Sequence, residues 1–258
     1  MKLIITSENP GFLTASYIKR RINAAPAQRP FVLGLPTGGT AIDMYKYLVQ
    51  FHREGKLSFK NVITFNLDEY AGLDYTHPQS YHSYMQENLF SHIDILPANI
   101  NIPQGNAPDL TAACIAYEEK IKQVGGIDLF IGGVGANGHI AFNEPGSAFS
   151  AKTRVVDLHP RTIVDNARFF DNNKNAVPKR AITMGLETIS NSREIIIMAI
   201  GQNKAEAVYH AIEGRREEAW PITVLQNHPL AYLVADEEAA GLVNKNIPRG
   251  CCLGEGVL

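Results

Sequence analysis

Cysteine is scarce. The 258 residues hold three, Cys114, Cys251 and Cys252, with no metal-ligand spacing among them. An odd, sparse set excludes the disulfide framework that staples small secreted domains. Cys114 falls on an expected helix as a small buried residue, and the Cys251-Cys252 pair reads as inert rather than redox-active. Charge of one sign is missing too: 24 Lys and Arg stand against 26 Asp and Glu, a net charge of -2. No basic field therefore advertises nucleic acid or an anionic membrane surface. No apolar run approaches the ~20 residues that span a bilayer. The start, Met1 to Thr6, is too short and wrongly flanked for a signal peptide and reads as a first strand. Repeats, low-complexity tracts and linkers are absent as well. The cytoplasm is the compartment these absences leave as the default.

What is present is a regular alternation. Leu3 to Thr6, Phe31 to Leu35, Asn61 to Phe65, Ile127 to Ile131, Glu194 to Ile200 and Ala231 to Ala235 read as strands. Helical spacing follows most of them: Phe12, Ala15, Ile18 and Ile22; Ile42, Tyr45 and Val49; Ala205, Val208 and Ile212. Ser80 to Phe90 and Leu110 to Val124 also read as helices. This order predicts an α/β fold, a mostly parallel sheet with helices on both faces, in one domain over residues 1–258. The stretch from His159 to Lys179 breaks the pattern, being polar and weakly periodic. A segment of this kind inside a compact domain is often a lid.

Chemistry concentrates at predicted strand ends. Gly132-Gly133-Val134-Gly135-Ala136-Asn137-Gly138-His139 follows a buried strand, and Glu144 lies five residues beyond His139. An imidazole titrates near neutrality, and a nearby carboxylate can orient it. Gly133, Gly135 and Gly138 also spell the dinucleotide pattern, with Asp157 about 20 residues on. That pattern needs a helix at its third glycine, and Asn143, Pro145 and Gly146 forbid one. Thr37-Gly38-Gly39-Thr40 sits between a strand and a helix, with Thr37 or Thr40 able to cap. Such a turn suits a phosphate or is a plain tight βα connection. Lys204 and Arg168, at predicted loop-to-helix positions, can complete a phosphate clamp; alone, each reads as a surface charge. Asp68 and Glu69 close the third strand, and Asp68 can serve as a general base or make an Asx turn.

Four separated segments resemble the glucosamine-6-phosphate deaminases: Leu33 to Thr40, Phe65 to Tyr70, Gly138 to Pro145, and Asn166 to Phe170. The likeness runs in order through nearly the whole chain. It implies a modified Rossmann-like fold. It also implies conversion of an amino sugar phosphate, glucosamine 6-phosphate, with water to fructose 6-phosphate and ammonia, without metal or organic cofactor. By position, Asp68 resembles the base that moves a proton between C2 and C1. His139, supported by Glu144, resembles the group that opens the sugar ring. Thr37, Gly38, Gly39, Thr40, Arg168 and Lys204 resemble the phosphate site, and 159–179 the lid.

Two departures stand out. Many members carry aspartate where this chain has Asn137, whose expected role is to orient the ring or the substrate by hydrogen bonding. Ser147 and Arg154 resemble parts of an effector site for N-acetylglucosamine 6-phosphate. Ala148 and Val156, however, replace a polar and a basic residue expected in activated members. Weak or absent activation is therefore expected. Activated relatives form hexamers and others act as monomers or smaller assemblies, so a homo-oligomer stays open. The alternatives weighed are a 6-phosphogluconolactonase-like hydrolase, whose pattern departs after the Gly-His pair, and a sugar-phosphate sensor domain. The sensor reading expects an added helix-turn-helix, for which a strand starting at residue three leaves no room. Galactosamine 6-phosphate, differing only at C4, stays open as a substrate.

Overall fold

The computed structural model describes residues 1–247 and residue 253. Cys251 and Cys252 lie outside the described residues, while Cys114 is buried on a helix, as expected. In chain order the elements are β1 (Lys2–Ile5), α1 (Pro10–Asn23), β2 (Phe31–Leu35), α2 (Ile42–Arg53), β3 (Val62–Asn66) and β4 (Asp68–Tyr70). Then come α3 (Tyr81–Asn88), β5 (Ile100–Asn101), α4 (Leu110–Gln123), β6 (Leu129–Gly133), β7 (Arg154–Asp157) and α5 (Pro160–Asn166). The remainder are β8 (Arg180–Thr183), α6 (Leu186–Ser190), β9 (Glu194–Ala199), α7 (Ala205–Ile212) and β10 (Ala231–Ala235). No helix among the described residues is long and apolar enough to cross a membrane.

Seven strands form one sheet in the order β1-β10-β9-β6-β2-β3-β5, and every neighbouring pair is parallel. Parallel strands buried on both faces need apolar side chains in both directions. The run Glu194–Ala199 shows the consequence: Ile195, Ile197 and Ala199 enter one core, Ile196 and Met198 the other. Leu129 and Ile131 likewise separate from Phe130. Helices α1, α2 and α3 cover one core through Ile18, Leu48 and Met85. Helices α4, α6 and α7 cover the other through Tyr117, Ile189 and Val208. This is the expected Rossmann-like layering. From β2 the chain builds outward through β3 and β5; from β6 it builds the opposite way through β9 and β10. The reversal lies between β2 and β6, and a crevice opens at their carboxyl ends.

A second sheet, β4-β8-β7, is antiparallel and lies outside the expected parallel pattern. Asp68 does not close the third strand: that strand stops at Asn66, and Asp68 opens β4. Strands of three or four residues are too short to display a period. Neither Thr37 nor Thr40 caps a helix. Gly38, at φ 97°, leads through a single 3-10 turn, Gly39–Ala41, into α2 without any side-chain cap. Within 159–179 the polar stretch holds α5 and one further turn, Ala167–Phe169. It packs Leu158, Ala167 and Phe170 with Tyr70 and Ala181 of the small sheet.

Candidate active site

A cavity of about 350 Å³ opens at the carboxyl ends of β2, β3, β6 and β9. Thr37 to Thr40 line it from the end of β2, Asp68 from the start of β4 just past β3, Gly133 to Asn137 and His139 from the end of β6, and Asn203 with Lys204 from beyond β9. Four crossovers thus bring together residues that lie up to 167 positions apart, counting from Thr37 to Lys204.

The turn after β6 is closed by its own backbone. The Gly138 amide donates to Gly135 O and the Gly135 amide to His139 O, both at 2.9 Å. Gly138 has φ 81°, which suits glycine. Gly135 is needed for a different reason: a Cβ there would stand 2.1 Å from Cε1 of the His139 ring. No helix follows the third glycine; Ile140 instead bridges to Asn143, so the dinucleotide pattern is coincidental. Ala141 takes φ 52°, left-handed and uncommon outside glycine, which redirects the chain toward Glu144.

Asn137 links the two titratable groups of this turn. Its Oδ1 lies 2.7 Å from His139 Nδ1, and its Nδ2 donates to Glu144 Oε2 at 2.8 Å. The direct distance from His139 Nδ1 to Glu144 Oε2 is longer, 3.7 Å. An amide oxygen only accepts, so a neutral His139 holds its proton on Nδ1 and leaves Nε2 as the basic nitrogen. Burial lowers the His139 pKa below the ordinary imidazole value. Glu144 opposes that shift, and the Lys204 charge adds to it.

Asp68 is buried, and its carboxyl is pushed up to about 8, chiefly by burial and then by Glu69. Glu69 faces away from it in function. Its carboxylate accepts the amides of Tyr70, Tyr81 and His82 at 2.8 to 2.9 Å, which satisfies the start of α3. Burial still raises the Glu69 pKa, against those three donors. One member of the Asp68-Glu69 pair thus builds structure and the other lines the cavity.

The glycine turn after β2 is held from behind. Tyr84 Oη donates to Gly38 O at 2.8 Å, and Tyr45 Oη donates to Pro36 O. Lys204 is half-buried at the start of α7 and lines the same cavity. Arg168 is exposed on the 167–169 turn and is not part of the lining. Arg154 donates to Asn143 Oδ1 at 2.8 Å and to Ser147 Oγ at 3.4 Å, so this expected pair is adjacent, outside the cavity. Tyr81, His159, Thr162 and Asn203 line the cavity without having drawn notice in the sequence. Only the polarity of 159–179 hinted at two of them. Among the described residues, no group of three or more His, Cys, Asp or Glu side chains is placed to hold a metal ion.

Comparison with known proteins bears on this geometry. Residues 13–233 match the family model described as glucosamine-6-phosphate isomerases/6-phosphogluconolactonase. A glucosamine-6-phosphate deaminase from Parabacteroides distasonis is 52% identical over 243 residues, 93% of this chain and 90% of the relative. The solved structure of a monomeric glucosamine-6-phosphate deaminase superposes with a TM-score of 0.89 at 42% identity, covering 94% of this chain and all of that one. A 6-phosphogluconolactonase from Trypanosoma cruzi shares the fold alone, with a TM-score of 0.74 at 19% identity over 94% of this chain and 97% of that one. The chain therefore belongs to the glucosamine-6-phosphate isomerase/6-phosphogluconolactonase family, and within it to the glucosamine-6-phosphate deaminases.

Proposed function

We propose that this protein converts glucosamine 6-phosphate and water to fructose 6-phosphate and ammonia, with residues 1–258 as one catalytic domain and 159–179 as its lid. The observation that carries the reading is the Glu144-Asn137-His139 chain of hydrogen bonds in the same cavity as the buried Asp68. His139 Nε2 takes the C1 hydroxyl proton and returns it to the ring oxygen, which opens the sugar. Asp68, ionised, removes the C2 proton from the open chain and delivers it to C1. The resulting C2 imine adds water and expels ammonia, leaving the ketose phosphate. The substrate's ammonium beside Asp68 favours its charged form, which burial alone disfavours.

The phosphate sits against the Thr37–Thr40 turn and the start of α2, where backbone amides and the helix dipole favour an anion. Lys204 adds a full positive charge. Arg168 joins when the 167–169 turn that carries it moves inward over bound substrate, beside an α5 that is already seated. Clamping the phosphate does no chemistry, but it holds C1 and C2 under Asp68. A phosphorylated sugar does not cross a bilayer unaided, so the reading places the enzyme in the cytoplasm.

The test is release of ammonia together with formation of fructose 6-phosphate, for glucosamine and galactosamine 6-phosphates, with 6-phosphogluconolactone hydrolysis as the competing assay. His139→Gln is expected to lower kcat by about 10²-fold or more. Lactone hydrolysis without ammonia release, or a His139→Gln variant as fast as the parent, overturns the reading.

A further inference from the structure

Helix α5 touches the catalytic groups through one face. Thr162 and Asn166 are four residues apart and so lie one above the other. Thr162 Oγ1 donates to Glu144 Oε1 at 3.1 Å. Asn166 Nδ2 donates to Tyr70 Oη at 2.8 Å, and Tyr70 stands two residues beyond Asp68 on β4. The helix is thus seated by one contact to the turn that carries Glu144 and another to the strand that carries Asp68.

Both oxygens of Glu144 are engaged, but by different parts of the molecule. Oε2 accepts from Asn137, which travels with the His139 turn. Oε1 accepts from Thr162, which travels with α5. If α5 lifts, the first bond stays and the second is lost, so the carboxylate can rotate about its Asn137 contact. Asn137 responds to that rotation because its other end holds His139 Nδ1.

We infer that Thr162 is a positioning residue: through its hydroxyl, the seated helix fixes the Glu144 carboxylate, and with it Asn137 and the His139 ring. Ring opening is then assembled only when the lid is down, which couples enclosure of substrate to the acid–base step. The inference rests on the roles given above to Glu144 and His139.

Thr162→Val keeps the branched shape and removes the hydroxyl; Thr162→Ser keeps the hydroxyl. A hydrogen bond to a charged acceptor sets the scale, so Thr162→Val is expected to lose about 10-fold in kcat with KM changed less than about 2-fold. Thr162→Ser is expected to restore kcat to within about 2-fold of the parent. Val164→Ala, on the exposed side of the same helix, controls for general loosening and keeps the parent kcat. The inference fails if Thr162→Val turns over like the parent, if Thr162→Ser falls as far, or if the whole loss lies in KM. His139→Gln is run alongside. An active His139→Gln enzyme removes the underlying reading, whereas an inactive one with an unaffected Thr162→Val removes the latch alone.

Discussion

Thr183 of β8 lies directly across the antiparallel ladder from Asp68 of β4. Its hydroxyl also accepts the amide of Phe142 at 3.1 Å. One buried residue therefore ties the strand that begins with Asp68 to the turn that runs from His139 to Glu144. Asn143 reinforces the tie by donating to Ile140 O and Met184 O at 2.9 and 2.8 Å. The small sheet is the frame that fixes the distance between the two halves of the proposed acid–base machinery.

Replacing Thr183 by valine keeps the β-branched shape and deletes the acceptor. The half-buried Phe142 amide then lacks that partner, a cost of about 1 kcal/mol. The expected outcome is a lower denaturation midpoint together with a kcat reduced by about 10-fold, since the His139 turn can shift relative to Asp68. Equilibrium unfolding and steady-state kinetics on one preparation check both. A destabilised variant with parental kcat would show that the turn is positioned without this hydroxyl.

Asp68 predicts an inverse relation between stability and activity. Its carboxyl is raised from 3.8 to about 8 in the folded chain. Between those values the native state holds the proton and the unfolded chain does not. Stability from this group is therefore fully present below pH 4 and is lost as pH rises toward 8. The proposed base works only when ionised, so kcat/KM for the free enzyme rises through the same window. Asp68→Asn is expected to abolish turnover while raising Tm by a few degrees, roughly 2–4 °C, at pH 8 and flattening its pH dependence. Thermal melts from pH 5 to 9 decide it: a variant that melts lower than the parent at pH 8 contradicts the buried-charge account.

Much of the large sheet could be read from the residues because its inner strands β2, β6, β9 and β10 are buried on both faces. Phe31–Leu35 and Ala231–Ala235 match their predicted spans, being continuous apolar runs. The first strand shifts by one residue, starting at the exposed Lys2, because its pairing with Tyr232 comes from backbone rather than side-chain chemistry. Arg154–Asp157 and Asp68–Tyr70 gave no strand signal: one is half-exposed and the other opens with two acids. Asp68, Asn137, His139, Glu144, the Thr37–Thr40 turn and Lys204 stood out in the sequence, and they line one cavity. Thr162, Tyr81 and Thr183 did not, since each matters only through a neighbour that the fold supplies. Arg168 stood out by sign and motif, yet its distance from the cavity lining depends on how a polar segment seats, which no periodicity encodes.

Gly135 separates ring placement from folding. Its backbone does not need a left-handed angle, so alanine is tolerated by the chain itself. The added methyl would instead fall 2.1 to 2.4 Å from three atoms of the His139 imidazole. The ring must swing away from Asn137 to admit it. Gly135→Ala is expected to keep the parental circular dichroism and to lose about 10²-fold in kcat/KM. Gly138→Ala is the contrasting case, because φ 81° and the Trp220 ring at 2.8 Å strain the turn itself. A Gly135→Ala enzyme with full activity would place the working imidazole elsewhere.

Asn137→Asp would set a second carboxylate 2.7 Å from His139 Nδ1 and 2.8 Å from Glu144 Oε2. The donor to Glu144 disappears, and the imidazolium gains a close counter-charge. His139 now sits below the ordinary imidazole value because it is buried; the substitution moves it upward. Titrating the His139 ring by NMR in both proteins reads this directly, apart from any titration of Asp68. An unmoved midpoint would mean that the amide is not what sets the electrostatics of the ring.

The last expectation concerns N-acetylglucosamine 6-phosphate. Arg154 turns its guanidinium inward, to Asn143 Oδ1 and Ser147 Oγ, and burial lowers its pKa. Both residues expected of an effector site are thus occupied with each other and with the brace beneath the His139 turn. Capturing a phosphate there would break the 2.8 Å Asn143 bond that steadies Ile140 and Met184. A second cation could repay that loss, but Val156, two residues along β7, carries no charge. One arginine already committed to the fold is a weak phosphate ligand. The rate curve for glucosamine 6-phosphate is therefore expected to keep its shape, with half-saturation changed less than about 2-fold by the acetylated sugar phosphate. Val156→Lys supplies the missing charge and is expected to create measurable binding by calorimetry. Strong activation of the unmodified chain would show that Arg154 releases Asn143 on demand, and that the brace is a switch.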